Sequence, residues 1–375
     1  MAIDIASQIQ KWNRKFHLEY VRKSGFLPYI GTAGGRNAMM PIISHYELED
    51  GGRTINVPYL PFDDDPGVQG RTRLTGNEGA LTSVNFPVMV NYNRNGKVIE
   101  RPDETWTALN LRDAAKAYLL QWAAVSLRDD IISRMWAYDA EAVVGRVPAA
   151  SEGGRGGPKP LGQYLALSEA KKDAWLAANA DRFLFGGAVS NHADNDHSAA
   201  LAALDDVNDR MTTGVVSLAR SLARQAEDVV SPMMPDDATT ERYILFVGPR
   251  AFTDVKRDPA MQQANRDARI RGENNPIFQD GDLLWDGVII REIPEIQAIP
   301  GVGAGGVDVE PAFLCGAQAV VVAVGERPVS TVDNVQDHNF RRPVGIRECR
   351  GVAKFAPGGK QRGMVNLYVA APRAA

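Results

Sequence analysis

RTRLTGNEGALTSVNFPVMVNYNRNGKVIER, Arg71 to Arg101, decides how this chain is read. It is rich in β-branched residues and carries Asn95-Gly96 between two alternating runs. A two-residue primed turn needs positive φ at both central positions, which Asn-Gly tolerates best. The stretch therefore predicts a hairpin with its tip at Asn95-Gly96. Pro87, inside the run Val84 to Tyr92, has no N–H to give a ladder, so that strand belongs on an edge or at a bulge. A long two-stranded arm is marginal in isolation. This one has little apolar surface of its own and is expected to lie on another subunit, which points to an assembly protein.

Before the arm, Arg53 to Phe62 reads as a short strand broken by Asp63-Asp64-Asp65-Pro66-Gly67. Further upstream, Ile5, Ile9, Trp12, Phe16 and Tyr20 recur at helical spacing. A glycine-rich stretch follows. Two readings stay open: an arm that docks elsewhere, or a helix lying on its own domain. After the hairpin, Leu111, Ala115, Tyr118, Trp122, Val125, Ile132 and Trp136 step by threes and fours. They predict a helix from Thr105 to Glu141, about 45 Å long, with Pro102-Asp103-Glu104-Thr105 as its start. A helical patch at Ser168–Phe185 and a helix over Ser198–Val229 come next. Beyond Pro232 and Pro235 the chain changes to strands at Tyr243–Val247, Leu283–Ile293 and Met364–Ala370. Short helices at Phe252–Arg257 and Ala260–Arg271 lie between them, and Phe313–Val324 reads as part helix, part strand. The class is α+β, with the sheets away from the long helix.

The chain has 375 residues, of which 44% are hydrophobic and 23% charged, with a formal charge of -4. That length allows two or three domains. The charge argues against a dense basic surface for gripping nucleic acid. Cys315 and Cys349 make no disulfide framework and suit a reducing compartment. The start, MAIDIASQIQKWNRKF, does not read as a signal peptide. No apolar run approaches the ~20 residues of a membrane span.

Catalytic signals are weak. Gly301-Val302-Gly303-Ala304-Gly305-Gly306 matches a dinucleotide fingerprint, but Pro300 precedes it and Val307-Asp308-Val309-Glu310-Pro311 follows. The mechanism needs a strand before and a helix after, so a loop is expected. His192 and His197 flank Asp194 and Asp196 at no closed-site metal spacing. That segment reads as a solvated loop tip. Asp63–Asp65 lack the periodic acids of a calcium hand. No GxSxG, HExxH, CxxC or Walker ending occurs. No catalytic, cofactor or metal residue is assigned, and no cofactor is expected.

In order, the parts are an arm, an extended hairpin, a long helix, a second helix, a sheet domain opening on Tyr243-Ile244-Leu245-Phe246-Val247-Gly248-Pro249-Arg250, and a returning strand. This order resembles the tailed-phage major capsid proteins of the Hong Kong 97 fold. The local wording is similar to the branch typified by podovirus gene product 56. It is carried by Arg73-Leu74-Thr75-Gly76-Asn77-Glu78, by Asn274-Asn275-Pro276-Ile277-Phe278 with Gly281 and Gly287-Val288-Ile289-Ile290, and by Phe313-Leu314-Cys315-Gly316-Ala317-Gln318-Ala319. The resemblance implies an N-arm at 1–52, an E-loop at 53–104, a P-domain at 105–235 and an A-domain at 236–345. Within the P-domain it implies a spine helix at about 105–140 and an insertion at 150–197. Residues 346–375 would form return strands. It implies an icosahedral shell of hexamers and pentamers around double-stranded DNA, held without sequence-specific binding. Such a shell sits in the virion and is built in the bacterial cytoplasm, with no membrane. A separate scaffolding protein and a portal are expected, since no fused scaffolding segment is recognised, and a cement or decoration protein is possible. Interface residues would be Trp12, Phe16, Asp63, Asp64, Asp65, Arg71, Arg73, Arg94, Asn95, Gly96 and Lys97. The alternatives are an encapsulin-like nanocompartment shell and a cytosolic nucleotide-binding enzyme.

Overall fold

Asn95 and Gly96 do not turn. They lie inside one continuous ten-residue strand, β5 (Asn91–Glu100), where Asn95 pairs with Ile346 and Gly96 with Gly345. The computed structural model describes residues 25–33, 39–46, 52–60, 67–75, 83–106, 111–141, 160–188, 192, 194–234, 241–269, 282–332 and 340–373. Ten consecutive ladder positions outweigh a local dipeptide preference, so the turn signal loses to pairing. The reversal occurs elsewhere. β3 (Thr54–Tyr59) pairs antiparallel with β4 (Val84–Met89) as a separate two-stranded ribbon, and residues 60–83 join them. Pro58 and Pro87 are accommodated because each strand of a two-stranded ribbon is an edge.

β5 is the outer strand of a five-stranded sheet, in the order β1 (Ile30–Thr32), β2 (Ile42–His45), β11 (Val320–Val332), β12 (Arg341–Lys354), β5. A short helix, α1 (Arg101–Trp106), follows β5, and the long helix α2 runs Leu111–Met135, about 37 Å by its rise. Residues 107–110 between them lie outside the described residues; α2 ends at Met135, short of the predicted Glu141. The long helix is not apart from the sheets. It lies on one face of the five-stranded sheet, with Leu119, Leu120, Ala123, Leu127, Ile131 and Ile132 packed among Val320, Val322, Val344 and Ile346. Its second half is enclosed on nearly all sides. Asp129 is buried there and paired with Arg128 at 3.0 Å.

The second sheet has six strands: β6 (Phe183–Phe185), β13 (Met364–Ala370), β10 (Val309–Cys315), β7 (Tyr243–Val247), β9 (Val288–Glu292) and β8 (Leu283–Trp285), in that order across it. Phe313–Val324 is therefore two strands, not part helix. The period of two sorts β7 cleanly. Tyr243, Leu245 and Val247 face α6 (Thr213–Gln225) and α7 (Pro249–Arg257). Ile244 and Phe246 face the other way, into the same core as α2. Phe26 meets Phe246 edge-on at 5.0 Å there. One continuous core joins the two sheets.

The predicted helix over Ser198–Val229 is broken. α5 (His197–Ala202) ends, and residues 203–212 form a turn. The Asp205 carboxylate accepts from the Val207 and Asn208 N–H groups, while Asp209 accepts from Gly187 and Asp205. Side-chain capping of this kind competes with helix propagation. Thr212 then caps the start of α6. The remaining helices are α3 (Pro160–Leu165), α4 (Glu169–Ala178) and α8 (Pro259–Arg269). Among the described residues, no helix is long and apolar enough to cross a membrane.

Candidate assembly surfaces

The ribbon is not held only by neighbours. Ile55, Val57, Phe86 and Val88 on its inner face are buried against Val321, Ala323, Ala353 and Phe355 of its own sheet, on the face opposite α2. This corrects the expectation that another subunit must lie beneath it. Gly351 permits the approach: a Cβ there would stand 2.0 Å from the Met89 carbonyl oxygen. At the ribbon's other end, Phe86 and Tyr59 meet Phe355 edge-on at 5.3 and 5.6 Å. The ribbon thus runs from Gly351 past Phe355 and off the end of the sheet. The distal segment 67–75 is almost wholly exposed, with Leu74 57% accessible. A single chain leaves that segment unburied.

The same outer face has a bare half. β5 alternates: Asn93, Lys97 and Ile99 turn toward α2, where Lys97 Nζ lies 4.4 Å from the Tyr118 ring centre and Asn93 donates to Ser126 at 3.0 Å. Tyr92, Arg94, Gly96 and Val98 turn outward, with Tyr92 59% and Val98 58% exposed. Across the ladder Arg94 stands opposite Arg347, and Gly96 opposite Gly345. Arg347 bonds Glu326 at 3.1 Å.

Of the expected interface residues, Arg71 and Arg73 lie exposed on the distal ribbon segment. Arg94 is exposed on the bare half-face, Asn95 is half-buried, and Gly96 and Lys97 are exposed on the same strand. The structure does not bring the two groups together. Trp12, Phe16 and Asp63–Asp65 lie outside the described residues. Sequence reasoning missed Arg347, Gly345 and Gly351. The alternation Tyr92, Arg94, Gly96, Val98 was the available signal for the outward face, and the Asn-Gly dipeptide masked it.

Beneath the sheet, on the α2 side, lies a buried charge cluster. Arg350 reaches Asp130 at 2.5 Å, Glu348 at 2.8 Å and the Ser126 hydroxyl at 2.9 Å. Lys354 is fully enclosed, donates to the Ala137 carbonyl at 2.5 Å, and loses so much solvation that its amine falls to about 7. His192 and His197 are also interior rather than on a solvated tip. His197 meets the Tyr138 hydroxyl at 2.7 Å, and burial lowers it to about 3. Burial pushes the Cys315 thiol well up. Glu310 accepts from the Ala251 N–H at 2.7 Å at the start of α7 and rises by burial to about 7. The glycines 301–306 form a loop with one tight turn, leading into β10 rather than a helix.

The phage capsid protein family matches residues 2–372. The major capsid protein of Pseudomonas phage KPP25 is 25% identical over 380 residues, covering 96% of this chain and 94% of that one. A capsid structure of cyanophage Pam1 superposes with a TM-score of 0.77 at 34% identity, covering 95% of this chain and 94% of that one. The capsid of Ralstonia phage GP4 shares the fold, with a TM-score of 0.68 at 19% identity over 94% and 93% of the two chains. A match of this extent, on a subunit whose segment 67–75 stands exposed beyond its ribbon, leads to one conclusion: the chain belongs to the phage capsid protein family.

Proposed function

We propose that this phage major capsid protein closes, in hexamers and pentamers, into an icosahedral shell around double-stranded DNA, in the Hong Kong 97 arrangement. The observation that carries this is the ribbon: its base is fixed at home, while its distal segment 67–75 stands almost wholly exposed. In that arrangement residues 1–52 serve as N-arm, whose β1 and β2 join the edge of the P-domain sheet, and the ribbon with its connection serves as E-loop. The long helix with the five-stranded sheet forms the P-domain core, and the six-stranded sheet forms the A-domain. β5 goes with the P-domain, so the E-loop closes near residue 90 rather than 104. The Trp12–Phe16 stretch, Asp63–Asp65, Arg71, Arg73, Arg94 and Lys97 lie at contacts between copies. The role is structural and involves no catalysis. Scaffolding and portal proteins act alongside it, and assembly takes place in the host cytoplasm. Individual contacts above ~1,000 Å² are modest, and repetition makes the shell stable. Electron microscopy of the purified, concentrated chain, or of its native particle, tests this. Closed polyhedral particles are expected; a chain that stays monomeric at every concentration, and is absent from the particle wall, defeats it.

A further inference from the structure

We propose that Asn91 and Asn95 close the free edge of the five-stranded sheet: their side-chain amides occupy outward backbone donors, so that a second copy cannot add a strand there. The proposal concerns the unassembled chain and goes beyond the shell reading above.

A sheet edge is a template for pairing with another chain, and proteins blunt such edges by shortness or by proline. Here β1, β6 and β8 stand at sheet edges with three residues each. The ribbon strands β3 and β4 carry Pro58 and Pro87. β5 ends its sheet with ten residues and no proline. That is roughly 34 Å of edge at strand rise, and Tyr92 and Val98 stand exposed on it. Its length is held by β12, opposite which all ten positions lie. Arg94 adds an exposed charge, which leaves the backbone groups of the edge as they are.

The phase of the ladder identifies those groups. Just beyond β5, the Arg101 N–H donates to the Phe340 carbonyl at 2.9 Å. Backbone groups along an antiparallel strand point alternately toward and away from the partner. Residues 91, 93, 95, 97 and 99 therefore bond β12, and the N–H groups of Tyr92, Arg94, Gly96, Val98 and Glu100 face away from it. Two of these donors are engaged by the preceding side chain. The Tyr92 N–H donates to Asn91 Oδ1 and the Gly96 N–H to Asn95 Oδ1, each at 2.8 Å. Asparagine suits this role because its short amide reaches adjacent backbone. Upstream, the Val90 N–H is bonded to the Arg53 carbonyl at 2.9 Å; downstream, residue 102 is proline. An incoming strand therefore meets Arg94 alone between the two clasps, and then only Val98 and Glu100 in succession. To pair further it must undo a clasp or bury a carbonyl without a donor, and either is unfavourable. The Asn95-Gly96 dipeptide, a turn signal in isolation, serves here as one of the clasps.

Hydrogen exchange resolved to single amides, on the full chain kept below the concentration at which it associates, tests this. After correction for intrinsic rates, Tyr92 and Gly96 are expected to exchange about fivefold slower than Arg94 and Val98, as one hydrogen bond allows. Asn91→Leu with Asn95→Leu should erase that difference. It should also lower the concentration at which the chain self-associates about tenfold in sedimentation velocity, with the amides from Tyr92 to Val98 gaining protection in the associated form. Adding Gly96→Pro removes one outward donor and no ladder bond; a Cβ at that position makes an ordinary 3.5 Å contact with the Val344 carbonyl oxygen. That third change should return self-association to the level of the unaltered chain. Equal exchange at all four amides of the unaltered chain overturns the proposal. So does unchanged association in the double variant, or association that the proline leaves in place, which would assign it to the leucine side chains. If the double variant does not fold, the exchange pattern of the unaltered chain decides alone. If the unaltered chain forms no particles, the shell reading fails while the same exchange pattern is still expected.

Discussion

The Lys354 amine is fully enclosed, with little anionic help; its partners are the Ala137 carbonyl, Gln361 at 3.4 Å and the Trp175 ring. Its folded value, about 7, lies below the ordinary 10.5. Between those values the unfolded chain holds a proton that the native chain releases, so stability rises with pH across that window. The melting temperature of the unassembled chain should climb from pH 7 to 10. Lys354→Met should flatten that climb, which scanning calorimetry at stepped pH would read; an equal slope in both proteins would contradict the assignment. The sequence hid this residue. Glu348, Arg350 and Lys354 fall on one face of the strand, a placement also seen on a wetted face. Here that side is roofed by α2 and the loop after it, and no local pattern distinguishes a roofed polar face from an open one.

At the scale of elements, four strands of the six-stranded sheet were legible because their apolar runs are short and bounded by Gly and Pro, whereas Phe183–Phe185 reads as the end of a helical patch and the end of β10 as part helix. Tyr243–Val247, Leu283–Glu292 and Met364–Ala370 fall where the pattern puts them. The hairpin was displaced because a turn dipeptide is a local signal, whereas β5 is fixed by a partner some 250 residues away in the sequence. The ribbon's seat depends on Gly351. Gly351→Ala forces the Met89 carbonyl away and should cost about 1–3 kcal/mol, as overpacking does. Hydrogen exchange should quicken over β3 and β4 and not over β7; uniform exchange across the chain would show that the ribbon is not the affected part. The break between α5 and α6 depends on Asp209, whose carboxylate serves two backbone donors. Asp209→Ala leaves them unpaired and should cost about 1–3 kcal/mol, read from urea midpoints. A change within error would mean that water replaces the carboxylate there.

Across the whole molecule, the long helix and both sheets share one core, and the Arg350 cluster ties α2 to β12 and β5 inside it. Removing one member strands the others without solvent. Arg350→Met leaves Asp130 and Glu348 facing each other and should lose about 3–5 kcal/mol. Thermal unfolding of the unassembled chain measures that loss, and a loss under 1 kcal/mol would indicate that the carboxylates find another cation. The succession of a long helix, further helices and then a strand-rich second half was legible from helix-period and strand-period segments. The placement of the sheets against α2 was not, because a helix buried on nearly all sides carries too broad an apolar stripe to say what covers it.

That shared core also bears on mechanics. Close-packed interiors yield little under strain, and apolar side chains of both sheets belong to one buried cluster. A wall stretched from within by tightly wound cargo would therefore transmit tension through each subunit as through a solid block. Elastic give would fall to the slender projecting strip, which meets its own body along only one side.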